Sequence, residues 1–119
     1  MTTLIVRLST VADAKARFVE AGKRALAGEK VEASPSINFA TYDDMHRVLA
    51  PSRLAIIKAI AGQGALSIRE VARRVNRDVQ AVHRDVTTLI NAGVIDRTAD
   101  GIEFPYDRLH FEYDVSAAA

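Results

Sequence analysis

Four hydrogen-bonding side chains recur at the spacing of one helical face in the later half of the chain. They lie at i, i+3, i+4 and i+7 and are Gln80, His83, Arg84 and Thr87, with Thr88 beside them. On an α-helix this spacing puts the four on one side. Their lengths and donor groups suit base edges and phosphates in a DNA major groove, which an α-helix fits. A solvated helix surface has the same composition, so the residue types leave both interpretations open.

The other side of the same segment is apolar and predicts the helix that would position these groups. The apolar positions, at i, i+4, i+7 and i+8, are Val82, Val86, Leu89 and Ile90. This period predicts a helix over 79–92 with a core-facing stripe. Asp78 is a suitable N-cap, and Gly93 provides a left-handed stop.

A shorter helix is predicted directly before it, over 67–75. Ser67 and Glu70 have the spacing of a capping box, in which the hydroxyl and the carboxylate each accept a backbone N–H of the other residue. Ala72 is small enough for a second helix to cross closely. Asn76 and Arg77 then form the turn between the two helices.

A β-hairpin is predicted after the second helix. Two β-prone runs, 95–98 and 102–104, flank Asp100-Gly101, and Asp-Gly between such runs is a strong hairpin signal. A tight helix pair followed by a hairpin is the layout of a winged helix, in which the hairpin is the wing.

The first 36 residues predict a strand, a helix and a linker. The strand covers 3–8, and the helix runs from a Thr10–Asp13 capping box to a stop at Gly28. The apolar stripe of this helix comprises Val11, Ala14, Phe18, Ala21 and Ala25. The polar stretch 29–36 suggests a boundary, so we expect an extension over 1–36 and a domain over 37–119.

The remaining elements are shorter. A strand is expected over 37–40, a helix capped by Thr41 runs to Leu49, and Pro51 suits the first turn of a further helix. Residues 109–115 alternate between apolar and polar, which predicts a half-buried strand. Its apolar face and the stripe of the first helix exceed what a minimal winged helix needs. They could be buried within the chain or between two copies, and we favour a dimer.

Composition and charge limit the function classes. Of 119 residues, 49% are hydrophobic and 26% charged, as in a globular protein, and no apolar run reaches the ~18 residues of a membrane span. Residues 51–97 hold eight Lys or Arg against four Asp or Glu, whereas 98–119 hold one against five. A basic middle beside an acidic end suggests a polyanion partner. The chain has no cysteine, which fits a cytoplasmic protein, and its start shows no secretion signal.

Enzyme, metal and cofactor patterns are not found. His46 and His110 are far apart in sequence and lack metal-ligand spacing, and the glycines at 62–64 lack the lysine of a phosphate-binding loop. We therefore expect no catalytic residue, no metal and no cofactor.

Several segments resemble the winged helix-turn-helix regulators of the MarR and ArsR type. The segments are SIREVARRV, AVHRDVTTLINAGVIDRT, the DG pair and FPYD. They are most similar to a group of small prokaryotic DNA-binding proteins that resemble antitoxins. The likeness is specific over 67–107, looser over 41–66 and weak before residue 37. It implies an α+β fold, a second helix in the major groove, a wing near the backbone, and homodimers.

The resemblance also implies roles for individual residues. Contacts to bases fall to Gln80, His83, Arg84 and Thr87. Contacts to phosphates fall to Ser67, Arg69, Arg73, Arg77 and Thr88, and the wing contact falls to Arg97. Asp85 departs from the pattern, because a carboxylate repels phosphate; it must turn away, pair with an arginine, or accept from a cytosine amine.

These observations predict a cytoplasmic, sequence-specific regulator of transcription that binds double-stranded DNA as a dimeric repressor. An antitoxin that also binds a toxin protein is a variant of this hypothesis. The alternative is a winged-helix module for protein–protein interaction, in which residues 1–36 bind a toxin or another protein.

Overall fold

Five helices and five strands make up the part of the chain that the computed structural model describes, residues 2–29, 34–115 and 117. The helices are α1 (Val11–Leu26), α2 (Tyr42–Val48), α3 (Pro51–Ile60), α4 (Ile68–Val75) and α5 (Val79–Asn91). The strands are β1 (Thr3–Leu8), β2 (Ser36–Phe39), β3 (Asp96–Thr98), β4 (Gly101–Glu103) and β5 (Arg108–Glu112). The fold is α+β, as expected. No described helix is long and apolar enough to cross a membrane.

The first and last strands lie side by side in a parallel sheet of order β2-β1-β5. In register, Val6 of β1 lies between Ile37 of β2 and Phe111 of β5. Leu4 and Val6 point into the core, where they are 2% and 0% exposed. The strand predicted over 109–115 is therefore present over Arg108–Glu112, but it is not half-buried: Leu109 packs against the core, whereas Phe111, Tyr113 and Val115 are exposed.

This sheet corrects the predicted division at residue 36. β1 belongs to the proposed extension, yet it pairs with two strands of the proposed domain, and its buried side chains belong to the same core as α3, α4 and α5. The boundary was predicted from the polar composition of the linker. The pairing of β1 with β5, which lies about a hundred residues later, leaves no local pattern in the sequence. Residues 30–33 of that linker lie outside the described part.

The predicted helix starts are confirmed, with one exception in detail. The hydroxyls of Thr41 and Ser67 and the carboxylate of Asp78 each accept the backbone N–H three residues later, and Pro51 is the first residue of α3. The second half of the Ser67 capping box is not formed, because the carboxylate of Glu70 instead binds two arginines.

The predicted hairpin is present and is attached to the helix pair. β3 and β4 pair antiparallel, and Leu66, just before α4, exchanges two backbone hydrogen bonds with Ile102 at 2.8 and 2.9 Å. Gly101 allows this approach: a Cβ there would lie 2.3 Å from the carbonyl oxygen of Leu66. The glycine predicted as a turn residue thus also fixes the hairpin to the start of α4.

The core lies between the parallel sheet, the helices α2 to α5 and the hairpin. Val82, Val86 and Leu89 of α5 are completely buried, as the apolar period predicted, and Gly93 adopts a left-handed conformation just after the helix. α5 is thereby held firmly along one side.

In contrast, α1 contributes little to this core. Its capping box with Thr10 and Asp13 is formed, but Phe18 is 80% exposed and Leu26 is 91% exposed. Only Ala14 and Ala21 of the predicted stripe are half-buried, and the side chain of Val11 lies outside the described part. The apolar face of α1 therefore finds no cover within the described chain.

Candidate nucleic-acid interface

The side of α5 opposite its buried stripe faces solvent. Gln80, His83 and Arg84 are exposed and Thr87 is half-buried. The first three, with Val79, line an open depression of about 350 Å³. The structure thus places the four residues on one accessible surface, which we call the polar face of α5.

Arg84 provides a free donor on this face. Its guanidinium makes no hydrogen bond or ion pair with any described residue, and neither does the imidazole of His83. A guanidinium that is exposed and unpaired keeps its planar set of donors available to a ligand.

The two threonines of α5 are partly occupied by the helix itself. Thr87 donates its hydroxyl to the carbonyl of His83 at 2.9 Å, and Thr88 donates to that of Arg84 at 3.2 Å. Their hydroxyl hydrogens are therefore used, and what they offer a ligand is an oxygen that accepts. This property suits the exocyclic amines of adenine or cytosine.

A second and larger depression lies beside the polar face. It has a volume of about 580 Å³ and is lined by Arg69, Ala72, Arg73, Asn76, Arg77, Asp78 and Val79. Val79 lines both depressions, so the two adjoin at this residue. We call the larger one the basic basin, because it gathers three arginines against a single carboxylate that already caps α5.

The three arginines of the basin differ in how free they are. Arg69 has no ion-pair or hydrogen-bond partner among the described residues, whereas Arg73 binds Glu70 with two of its nitrogens. Arg77 donates to Asp85 at 2.8 Å. Only Arg69 of the three is thus free of a carboxylate, whereas Arg77 is held by Asp85 through one nitrogen and keeps its other N–H groups for a second acceptor.

Glu70 is strongly stabilised as an anion on the surface of α4. Hydrogen bonds from Arg73, and then from Arg74, lower the pKa of Glu70 from 4.5 to about 2. The same contact raises the pKa of Arg73. This cluster stays charged across physiological pH and neutralises part of the positive charge of α4.

The carboxylate of Asp85 pairs with two arginines, which is one of the three arrangements that the sequence left open for it. Its carboxylate is almost buried, with Arg77 on one oxygen at 2.8 Å and Arg53 of α3 near the other at 3.2 Å. Arg53 also donates to the carbonyls of Arg47 and Val48 at the end of α2. One buried acid therefore joins α5 to α3 and to the turn that precedes α5.

Arg53 was missed by the sequence reasoning. It lies 32 positions before Asp85, and a lone arginine in the first turns of a helix carries no local signal of a long-range ion pair. Asp85 itself gave a signal: a carboxylate next to Val86 of the buried stripe needs a cation nearby.

The other predicted site residues are dispersed. Ser67 is the N-cap of α4, and its hydroxyl oxygen accepts the backbone N–H of Glu70. Arg97 is exposed on β3. His46 stacks on Tyr42 in α2, and His110 lies on β5. Within residues 2–29, 34–115 and 117, no group of His, Asp or Glu could hold a metal ion.

A family model described as HVO_A0114 matches residues 48–111, which is more than half of the chain. The match begins at the end of α2 and runs into β5, and it includes the polar face of α5, the basic basin and Arg53. It does not include α1. No curated protein and no solved structure is similar enough to match the chain.

Proposed function

The chain belongs to the HVO_A0114 family, and we propose that it is a winged helix-turn-helix regulator of transcription that binds specific sequences in double-stranded DNA. The observation that carries the proposal is the accessibility of the polar face of α5, which lies opposite a completely buried stripe. A helix held in this way can enter a major groove without losing its place in the core. In this proposal α5 is the recognition helix.

Base recognition is assigned to the exposed end of α5. Arg84 can contact guanine O6 and N7 with two donors, and Gln80 can bind the edge of adenine. His83 lies between them on the same surface. Thr87 accepts rather than donates, because its hydrogen is held by the helix backbone.

Phosphate contacts are assigned to the basic basin and the hairpin. Arg69 is the free cation of the basin, Arg77 is oriented by Asp85, and Arg97 lies on the hairpin that serves as the wing. The wing also carries Asp96, Asp100 and Glu103, so we expect it to add little affinity.

The protein is proposed to act as a dimeric repressor in the cytoplasm. A twofold dimer would put two recognition helices about one DNA turn apart, roughly 34 Å, on an inverted repeat. No enzymatic step and no cofactor enters this proposal.

The first test measures DNA binding by fluorescence anisotropy on the native upstream sequence and on a random duplex of equal length. We expect Arg84→Ala to weaken specific binding by about 1–3 kcal/mol and to reduce the preference for the native sequence. Arg47→Ala is the control, because Arg47 is exposed on α2 and its side chain lines neither depression. Equal losses on both duplexes would show that Arg84 does not recognise bases. If the wild-type chain binds neither duplex, the proposed function is wrong.

A protein–protein interaction module is the second candidate function. The exposed apolar face of α1, with Phe18 and Leu26, supports it, because a toxin or another protein could cover that face. Co-expression with the protein of the neighbouring gene, followed by purification of a stoichiometric complex that does not bind DNA, would favour this candidate.

A further inference from the structure

The outward side of α1 carries an apolar strip with a glycine at its centre. Phe18, Gly22 and Leu26 lie one helical turn apart, with Val19 beside them, and we call these four residues the α1 strip. Phe18, Val19 and Leu26 are 80%, 45% and 91% exposed. Large apolar side chains at such exposure, aligned on one helix face, indicate a surface that another protein covers.

No contact within the described chain explains why position 22 is a glycine. It lies in the interior of α1, where glycine weakens a helix relative to alanine. A Cβ at this position would meet nothing within 4 Å, so no described residue requires the space. A glycine that leaves a gap between two large apolar side chains permits close approach of another helix.

We infer that α1 pairs with α1 of a second copy in an antiparallel crossing centred on Gly22. In that arrangement the two glycines meet, and Phe18 of each copy packs on Leu26 of the other. The contact is made twice by symmetry, as in an isologous interface. The strip has the same residue spacing on both sides of Gly22, so it is complementary to itself.

The charges at the two ends of α1 support the antiparallel direction. Lys15 lies near the start and Glu29 just after the end, both are exposed, and neither forms an ion pair with a described residue. An antiparallel crossing centred on Gly22 brings Lys15 of one copy towards Glu29 of the other. A parallel pair would instead bring like charges together, which costs free energy.

The size of the surface sets the expected strength. A helix of 16 residues is about 24 Å long, so a single helix–helix contact is small compared with a standard interface of roughly 1,600 Å². We therefore expect dissociation in the micromolar range. The inference deepens the proposed repressor by naming its dimer surface, but the association requires no DNA and is measured without it.

The first experiment is sedimentation equilibrium of the full chain and of two glutamine variants. Gly22→Gln fills the crossing point while improving the helix, and we expect it to raise the dissociation constant at least about tenfold, or 1.4 kcal/mol. Ala16→Gln is the matched control, because Ala16 is exposed and lies about a third of the way around α1 from Gly22. We expect it to dimerise like the wild type.

A wild-type chain that stays monomeric at high micromolar concentration would overturn the inference, and so would a Gly22→Gln chain that dimerises normally. Circular dichroism checks that both variants keep their helix content. If the wild-type chain is monomeric alone but binds a toxin through Phe18, the second copy is the wrong occupant. If Arg84→Ala loses specific DNA binding but still dimerises, the two proposals are shown to be independent of each other.

The second experiment tests the direction by charge exchange. The double exchange of Lys15→Glu with Glu29→Lys keeps both opposite-charge pairs in its own antiparallel dimer, but its heterodimer with the wild-type chain would bring like charges together at both positions. In a parallel crossing the same heterodimer would instead gain two opposite-charge pairs. We therefore expect native mass spectrometry of an equal mixture of the two chains to show fewer heterodimers than random pairing gives. A heterodimer fraction equal to or above that of random pairing would refute the antiparallel crossing.

Discussion

At the scale of single residues, the site is defined by which cations are free. Arg69 and Arg84 have no partner among the described residues, whereas Arg73 and Arg77 each hold a carboxylate. Residue type alone gave these four arginines similar weight. The structure ranks them, because an arginine whose charge is already neutralised by an acid gains less from a phosphate than one that is free.

The ranking predicts different losses for two neighbouring arginines of α4. Arg69→Ala should weaken binding to every duplex alike and reduce the slope of log affinity against log salt by about 1 per subunit. Arg73→Ala should have a smaller effect, because the guanidinium of Arg73 is already paired with Glu70 and contributes less to binding phosphate. Titrations of both variants at several salt concentrations measure this, and a larger loss for Arg73→Ala would contradict the ranking.

A pH dependence is expected from Glu70. Its pKa in the folded state is about 2 against 4.5 for the free group, so the folded state binds this proton less readily. The stabilisation is complete above pH 4.5 and is lost as the pH falls towards about 2. We expect the free energy of unfolding in urea to decrease less between pH 4.5 and about 2 in Glu70→Gln than in the wild type. Replacing Arg73 and Arg74 together by Gln should do the same, and an unchanged slope in both variants would argue against the cluster.

At the scale of elements, the position of α5 depends on a buried ion pair as well as on apolar packing. Asp85 joins α5 to Arg53 of α3 and to Arg77 in the turn before α5. Since Arg77 also lines the basic basin, the same carboxylate orients one cation of the proposed DNA surface. Asp85 is a positioning residue in this scheme.

Removing this carboxylate should be costly. Asp85→Asn leaves two partly buried guanidiniums without their anion, and we expect a loss of about 3 kcal/mol in the free energy of unfolding. Asp44→Asn is the control: it breaks the exposed Arg47 pair on α2 and should cost less than about 1 kcal/mol. Urea unfolding measures both. Similar small losses would mean that the buried group of charges does not hold α5.

At the scale of the whole molecule, the chain closes on itself through its ends. β1 lies between β2 and β5, and the carboxylate of Asp107 accepts the backbone N–H of Thr2 at 2.7 Å. That contact, and a second hydrogen bond from the Thr2 hydroxyl, lower the pKa of Asp107. The segment predicted as an extension is therefore required by the core of the segment predicted as a domain.

A deletion tests this closure. A chain of residues 37–119 lacks Leu4 and Val6, so it exposes the core side of β5 and loses the strand that joins β2 to β5. Complete burial of each such side chain is worth about 1.5–3 kcal/mol. We expect the deletion to unfold at much lower urea concentration than the full chain, or to aggregate. Normal stability would show that the domain folds without β1 and that the division at residue 36 was correct.

The sequence by itself determined the elements and the face of α5. The period of Val82, Val86 and Leu89, the caps at Ser67 and Asp78, and the Asp-Gly hairpin are local patterns, and local patterns reach only a few residues along the chain. They predicted the polar face correctly as a surface. Its use for DNA binding stays a proposal.

Only the tertiary structure decided which of these groups are free and what joins the ends. Two of these features are contacts between residues far apart in the chain, namely the pairing of β1 with β5 and the Arg53–Asp85 ion pair. The third is the exposure of Phe18, which depends on where the rest of the chain packs. Such contacts leave no period and no motif in the sequence. They arise because apolar side chains and buried charges must find partners wherever the folded chain brings them together.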